Sequence, residues 1–171
     1  PIFIAGDVNA DRPLLHEAGD EGRIAGFNAV NPIQHFQRKP RFALTFCDPN
    51  IVSIGETWQA LQAKADQIAI GEYHFDSQGR AKIIGNNRGI LRLYADKSTG
   101  QLLGTEMIAP QGEHLGHLLA WAIQHKLTVF DLLKLPFYHP TLEEGLQTAL
   151  YDLKDEVDAR AEPLTEVATL S

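Results

Sequence analysis

The sequence predicts an α+β fold: a mostly antiparallel sheet with flanking helices, preceded by a strand and helix that belong with another domain. Three observations predict it. Residues 42–108 alternate apolar and polar side chains in short runs divided by turn chemistry, residues 115–153 change to a helical period, and the chain opens on an apolar run and a helix cut off from both by a stretch with neither period.

The elements follow in order. Ile2 to Ala5 is a short apolar run ending in Gly6-Asp7, with loop chemistry at Asn9, Asp11 and Pro13, so a strand is expected to end in a turn there. From Leu15 to Val30, Ala18, Gly22, Ala25, Gly26 and Ala29 form a small-residue stripe that predicts a helix packed closely on another backbone. Glycine costs about 1 kcal/mol against alanine inside a helix, so that partner must compensate, and it is not expected within this chain. Asn31 to Arg41 carries two prolines and no period, which predicts a linker with a domain boundary near Pro40. Phe42, Leu44 and Phe46 then alternate with polar or small residues as a half-buried strand, and Asp48-Pro49-Asn50 turns the chain into a second strand, Ile51 to Ile54. Thr57 is expected to cap a helix through about Ala65. Strands are expected at Ile68 to Phe75, around Leu91, Leu93 and Ala95, and, after a turn at Asp96 to Gly100, at Leu102 to Ile108, together a meander. Leu115, Leu118, Leu119, Ala122 and Ile123 make the apolar face of a helix. Thr128 opens a shorter one, Val129 to Leu135, stopped by Pro136. Thr141 opens a third, with Leu142, Leu146, Ala149, Leu150 and Leu153 on its apolar side. Asp155 to Ser171 is acidic and loses period, as a fraying tail does.

Composition removes several function classes. With 15 Lys and Arg against 22 Asp and Glu, the chain carries a formal charge of −7, which opposes binding to nucleic-acid phosphates. No apolar run approaches the roughly 18 residues of a membrane span, so neither nucleic acid nor membrane is an expected partner. A single cysteine, Cys47, excludes an internal disulfide and suits a reducing cytoplasmic location. The chain begins inside an apolar strand pattern and without methionine, so it reads as part of a longer protein.

Few residues could carry chemistry. His114, His117, Trp121 and His125 lie on the helix side away from the leucines, and His114 with His117 could share a metal. Spacing dictates no third ligand, so a polar face or subunit contact is expected and no metal site. Cys47 has no helix N-terminus or basic cluster beside it in sequence, and a small buried apolar role is expected. The sharpest cluster is Tyr138-His139-Pro140-Thr141-Leu142-Glu143-Glu144. Thr141 and Glu144 have the spacing of a capping box, which alone accounts for both. The same spacing puts the Glu144 carboxylate about one turn from His139, where it can orient the imidazole and offset the helix N-terminus, making a proton shuttle. Both readings stand on spacing alone.

The string His139-Pro140-Thr141-x-x-Glu144, after its two helices, resembles the C-terminal signature of the flavin-dependent pyridine nucleotide-disulfide oxidoreductases, and among them the dihydrolipoamide dehydrogenases. Three further blocks resemble that family in order. Ile2 to Asp7 is similar to its second flavin fingerprint, with Leu14 to Gly22 as the following helix start; Phe46 to Gly55 resembles the first hairpin of its interface domain; Gly89 to Leu93 with Leu103-Gly104 resembles the later strands.

The resemblance implies residues 1–40 as the end of a Rossmann-like FAD domain and 41–171 as the dimerisation domain of a homodimer. It implies FAD in the full-length parent but not held by this piece, NAD as co-substrate, and a redox cysteine pair that Cys47 does not match. Asp7 would meet the ribityl chain, the backbone at Leu14, Leu15 and His16 would approach the flavin ring, and His139 with Glu144 would be the acid/base for thiol–disulfide exchange with a lipoyl-bearing acyltransferase or a small disulfide. Where dihydrolipoamide dehydrogenases commonly have His-Ala before the motif, this chain has Phe137-Tyr138, which keeps a glutathione-type or other low-molecular-weight disulfide open as substrate. A non-catalytic dimerisation module is the remaining alternative.

Overall fold

A computed structural model describes residues 1–159 and Val167. The chain divides into two compact units, Pro1–Lys39 and Pro40–Ser171.

The first unit is built around helix α1, Leu15–Val30, as its small-residue pattern predicts. The expected strand at Ile2 to Ala5 does not form: these residues pair with no strand, since a ladder needs a second strand and the unit has none, and Ile2 and Ile4 stay exposed. A 3-10 turn, Asp7–Asn9, follows. Of the small-residue stripe, Ala18 lies close to Gly6, whereas a Cβ at Gly22 or Gly26 would meet nothing within 4 Å.

Residues 31–39, expected as a linker, are instead a strap that runs back along α1. Asn28 donates to the Gln34 carbonyl and accepts from its N–H, at 3.1 and 2.9 Å. Phe36 meets Phe27 edge-on with ring centroids 5.6 Å apart. Arg38 bridges Asp11, Glu17 and Glu21, and Lys39 pairs with Asp20. Glu17 is only 4% exposed. Burial would raise its carboxyl, yet hydrogen bonds from Arg12 and Arg38 outweigh that and hold it below the usual carboxylate range.

The second unit is a five-stranded antiparallel sheet: β1 (Phe42–Thr45), β2 (Asn50–Gly55), β3 (Ile68–His74), β4 (Ile90–Asp96) and β5 (Leu102–Ala109), in the order β1-β2-β5-β4-β3. The meander is therefore confined to β3-β4-β5. The β1-β2 hairpin joins it through β2 beside β5, with Val52 opposite Met107. Asp48–Pro49, in the hairpin turn, is cis. Alternation works as predicted: Val52, Ile54, Ala69, Leu91, Leu93, Leu102, Met107 and Ala109 form one buried face.

Helices cover the sheet. Helix α2, Trp58–Leu61, lies on the other face, where Leu61 packs with Ile68 and Tyr94; it is capped by Thr57 but passes into a 3-10 stretch, Gln62–Gln67, rather than continuing as α-helix to Ala65. Helix α3, Gly79–Ile83, was not signalled by any period. Helix α4, Gly112–Gln124, buries Leu115, Leu119 and Ala122. Helix α5, Val129–Leu133, starts at a complete capping box of Thr128 and Asp131. Helix α6, Glu143–Asp155, lays Leu146, Ala149, Leu150 and Leu153 over β3 and β4. Asp155 is thus the end of α6 rather than the start of a tail; most of the expected fraying tail lies outside the described residues. On the opposite sheet face, Glu72, Arg92 and Glu106 stand opposite one another across three strands, and Arg92 Nε donates to Glu72 at 2.6 Å.

Candidate active site

The loop between α5 and α6 carries the motif. Pro136 cannot continue α5, and His139–Pro140 is a cis peptide. His139 Nδ1 lies 2.8 Å from Glu144 Oε1, so the sequence spacing does bring the two together. The side chain of His139 is 83% exposed and that of Glu144 32%, so the ring projects outward while the carboxylate sits beneath it. The His139 hydrogen bond first, and the Thr141 backbone N–H second, hold the Glu144 carboxyl below the usual carboxylate range. An ionised carboxylate accepts only, so Nδ1 is the donor, and in the neutral imidazole that leaves Nε2 as the lone-pair nitrogen.

The capping box is only half made. Glu144 Oε2 accepts the Thr141 N–H at 2.9 Å, but the Thr141 hydroxyl donates to the Tyr138 carbonyl at 2.7 Å instead of accepting from the helix. The helix consequently starts one residue later than the box would place it, at Glu143, with Leu142 at its cap and no side-chain cap bond. The turn at residues 138–141 claims the hydroxyl that the box requires.

Beneath the motif lies a layer that sequence reasoning missed. Tyr73 packs under Gly145, where a Cβ would come within 2.7 Å of its ring, and Tyr73 meets Phe75 edge-on at 5.4 Å. Buried Gln78 donates from Nε2 to the Thr141 carbonyl at 2.6 Å. Its pairing across 63 residues leaves no local signal in the sequence.

The histidines of α4 form an exposed face. His117 Nδ1 is 2.6 Å from the Glu113 carbonyl, and its ring lies edge-on to Phe42. No group of three or more His, Cys, Asp or Glu able to hold a metal occurs among the described residues. Cys47, expected to be buried, is exposed in the β1-β2 turn, where its Sγ lies 3.1 Å from the Pro49 carbonyl. The strand ends at Thr45, so Cys47 falls in the turn and not among the buried positions of the sheet.

Beside the motif, Leu118, Trp121, Leu135, Phe137, Tyr138 and Leu146 line an apolar groove of about 450 Å³. Trp121 remains 61% exposed. In the first unit, Asp7, Leu15 and His16 are exposed and Leu14 is half-buried. Leu14 is extended at the start of α1 and offers no side-chain cap, which leaves the first-turn N–H groups free for oxygen acceptors. Gly6, with φ of 80°, has its N–H taken by Glu21 at 2.7 Å, fixing the turn that presents Asp7.

Residues 42–150 match the family model of the pyridine nucleotide-disulphide oxidoreductase dimerisation domain, and the chain belongs to that family. A dihydrolipoyl dehydrogenase of Rhizobium etli is 30% identical over 156 residues, which cover 88% of this chain and 32% of that protein. The mitochondrial dihydrolipoyl dehydrogenase of Pisum sativum is 26% identical over 86% of this chain and 30% of its own length. Among solved structures, LpdA from Mycobacterium tuberculosis superposes with a TM-score of 0.76 at 25% identity, over 87% of this chain and 33% of that one. The HOCl-induced flavoprotein disulfide reductase RclA of Escherichia coli gives 0.72 at 19%, over 88% and 34%, a likeness of fold. The chain spans about a third of the length of the curated relatives it matches.

Proposed function

We propose that this chain supplies the dimerisation domain and the acid/base pair of a dihydrolipoyl dehydrogenase. The observation that carries the reading is the 2.8 Å contact between His139 Nδ1 and Glu144 Oε1 on an exposed ring. Glu144 fixes the tautomer and orientation of the imidazole and balances the imidazolium formed when Nε2 takes a proton. A dithiol substrate loses its S–H proton to Nε2, and the thiolate then attacks one sulfur of a disulfide, breaking the S–S bond and releasing the other sulfur as a thiolate. That disulfide comes from outside this chain, which has one cysteine. A second deprotonation and attack closes the oxidised substrate. FAD, held in part by residues 1–40 of the parent, would carry the electrons from the reduced cysteine pair on to NAD.

Residues 1–40 fit one edge of the FAD site: the free N–H groups at Leu15 and His16 suit flavin oxygens, and exposed Asp7 suits a ribityl hydroxyl. The apolar groove with Trp121 fits a homodimer contact, as the dimerisation domain of this family implies. Bulky, exposed Tyr138 beside His139 favours a second reading, in which the substrate is a different low-molecular-weight disulfide such as glutathione.

The test is made in the full-length parent. His139→Gln is expected to lower dihydrolipoamide turnover about 100-fold or more, as loss of general-base catalysis does. Electron flow from NADH to an artificial acceptor bypasses the dithiol and survives. Glu144→Gln falls between, because its amide oxygen can accept from only one of the two N–H groups that Glu144 now serves. Wild-type turnover in His139→Gln would sink the assignment and leave the motif as a helix start.

A further inference from the structure

Gln78 is 5% exposed and both ends of its amide are used. Oε1 accepts the Ala81 N–H at 2.5 Å and Nε2 donates to the Thr141 carbonyl at 2.6 Å. A buried amide is costly unless both ends are bonded, so the two backbone partners are what retain it there. Capping α3 does not explain the choice, because Ser, Thr, Asp and Asn cap best and glutamine is not among them. What glutamine adds is length, which lets a side chain that caps α3 also reach the turn preceding α6.

The far end of that reach is the backbone that aims His139. Thr141 is held at its N–H by Glu144, at its hydroxyl by the Tyr138 carbonyl, and at its carbonyl by Gln78. The first two bonds stay within residues 138–144 and would move together if the turn swung as a body. The third ties the turn to Gln78, 63 residues away at the start of α3 and outside the turn altogether.

We propose that Gln78 is a positioning residue for the His139–Glu144 pair: by anchoring the Thr141 carbonyl it fixes the turn from which the imidazole reaches Glu144 Oε1. The inference deepens the acid/base reading and rests on it for its purpose, but not for its test.

The test reads the imidazole directly in the 171-residue chain, by long-range proton–nitrogen correlation of His139 at mildly alkaline pH. In the wild type, the two ring nitrogens should be well separated, Nδ1 as the N–H and Nε2 as the lone-pair nitrogen. Gln78→Asn, too short to span both partners, and Gln78→Met, of similar length without hydrogen bonds, should each draw the two signals toward the values of an unrestrained imidazole. Val52→Ala, a core truncation on β2 beneath α4, should destabilise the fold and leave those signals in place. The proposal is overturned if folded Gln78→Asn keeps both His139 nitrogen signals at their wild-type positions, and this arm decides even where Gln78→Met does not fold. Because no turnover is measured, a dispensable His139 in the parent would remove the acid/base reading while leaving the effect of Gln78 on the ring intact.

Discussion

Gly71 offers the clearest quantitative test of how the site is supported. It lies on β3 beneath α6, and a Cβ added there would come 2.4 Å from the Ala149 carbonyl oxygen, 2.5 Å from Leu153 Cβ and 2.7 Å from Leu153 N. Ordinary contact begins at 3.4 Å, so β3 and α6 must separate by about 1 Å, and the obstructing atoms belong to backbone and Cβ rather than to flexible side-chain ends. A gap of that size forfeits up to about half of each dispersion contact beneath Leu146, Leu150 and Leu153, all buried at present. Gly71→Ala should therefore cost about 3 kcal/mol, the upper end of overpacking. With a urea m-value of about 2 kcal/mol/M, the midpoint falls by about 1.5 M. Urea unfolding followed by Trp58 and Trp121 fluorescence measures it. Gly79→Ala is the control: nothing lies within 4 Å of its added Cβ, and alanine at the start of α3 should be neutral or stabilising by up to about 1 kcal/mol. Equal midpoints for the two variants would refute the close approach of β3 and α6.

Glu144→Ala should cost about 1 kcal/mol at pH 7 by freeing the Thr141 N–H and the His139 ring. Because those bonds depress the folded carboxyl, their pH-dependent contribution is complete above the ordinary carboxyl pKa and is lost as pH falls through the lower folded value; urea midpoints of variant and wild type should converge below about pH 4. Light scattering of the chain at micromolar concentration should give twice 18.9 kDa, and Trp121→Glu with Leu135→Asp should give the monomer. The 171-residue chain should purify without stoichiometric flavin absorbance, since one edge of a dinucleotide site lacks the pyrophosphate loop.

What the sequence made legible was what local burial decides. Leu115, Leu119 and Ala122 repeat at helical spacing because one face of α4 meets the sheet, and Phe42 and Leu44 alternate because one face of β1 packs on the core. The junction of hairpin and meander was not legible, for placing β2 beside β5 depends on Val52 meeting Met107 some 55 residues away. Helix α3 escaped because five residues hold too little periodicity to register, and Gln78 escaped because its cap is an unusual one. The strap at residues 31–39 showed no period because single side chains hold it, above all Arg38 on Glu17 and Glu21. Ile2 to Ala5 has the composition of a strand, but composition cannot supply a neighbour to pair with.

The motif itself shows why two readings of His139 to Glu144 could not be separated by spacing. A carboxylate has two oxygens, and Glu144 gives one to each: Oε2 to the Thr141 N–H, as a helix-start residue does, and Oε1 to His139 Nδ1, as a catalytic partner does. The bond to the backbone prepares the bond to the ring, because fixing Oε2 on the Thr141 N–H leaves Oε1 a single direction in which to meet the imidazole. The same bond needs no hydroxyl from Thr141, which is free to close the turn onto Tyr138 and so set where His139 leaves the backbone. A residue serving both purposes will match a capping pattern in any chain that uses it for proton transfer. The pattern therefore weighs on neither side, and what distinguishes the two uses is the outward-facing Nε2 of a ring that packing alone would not expose.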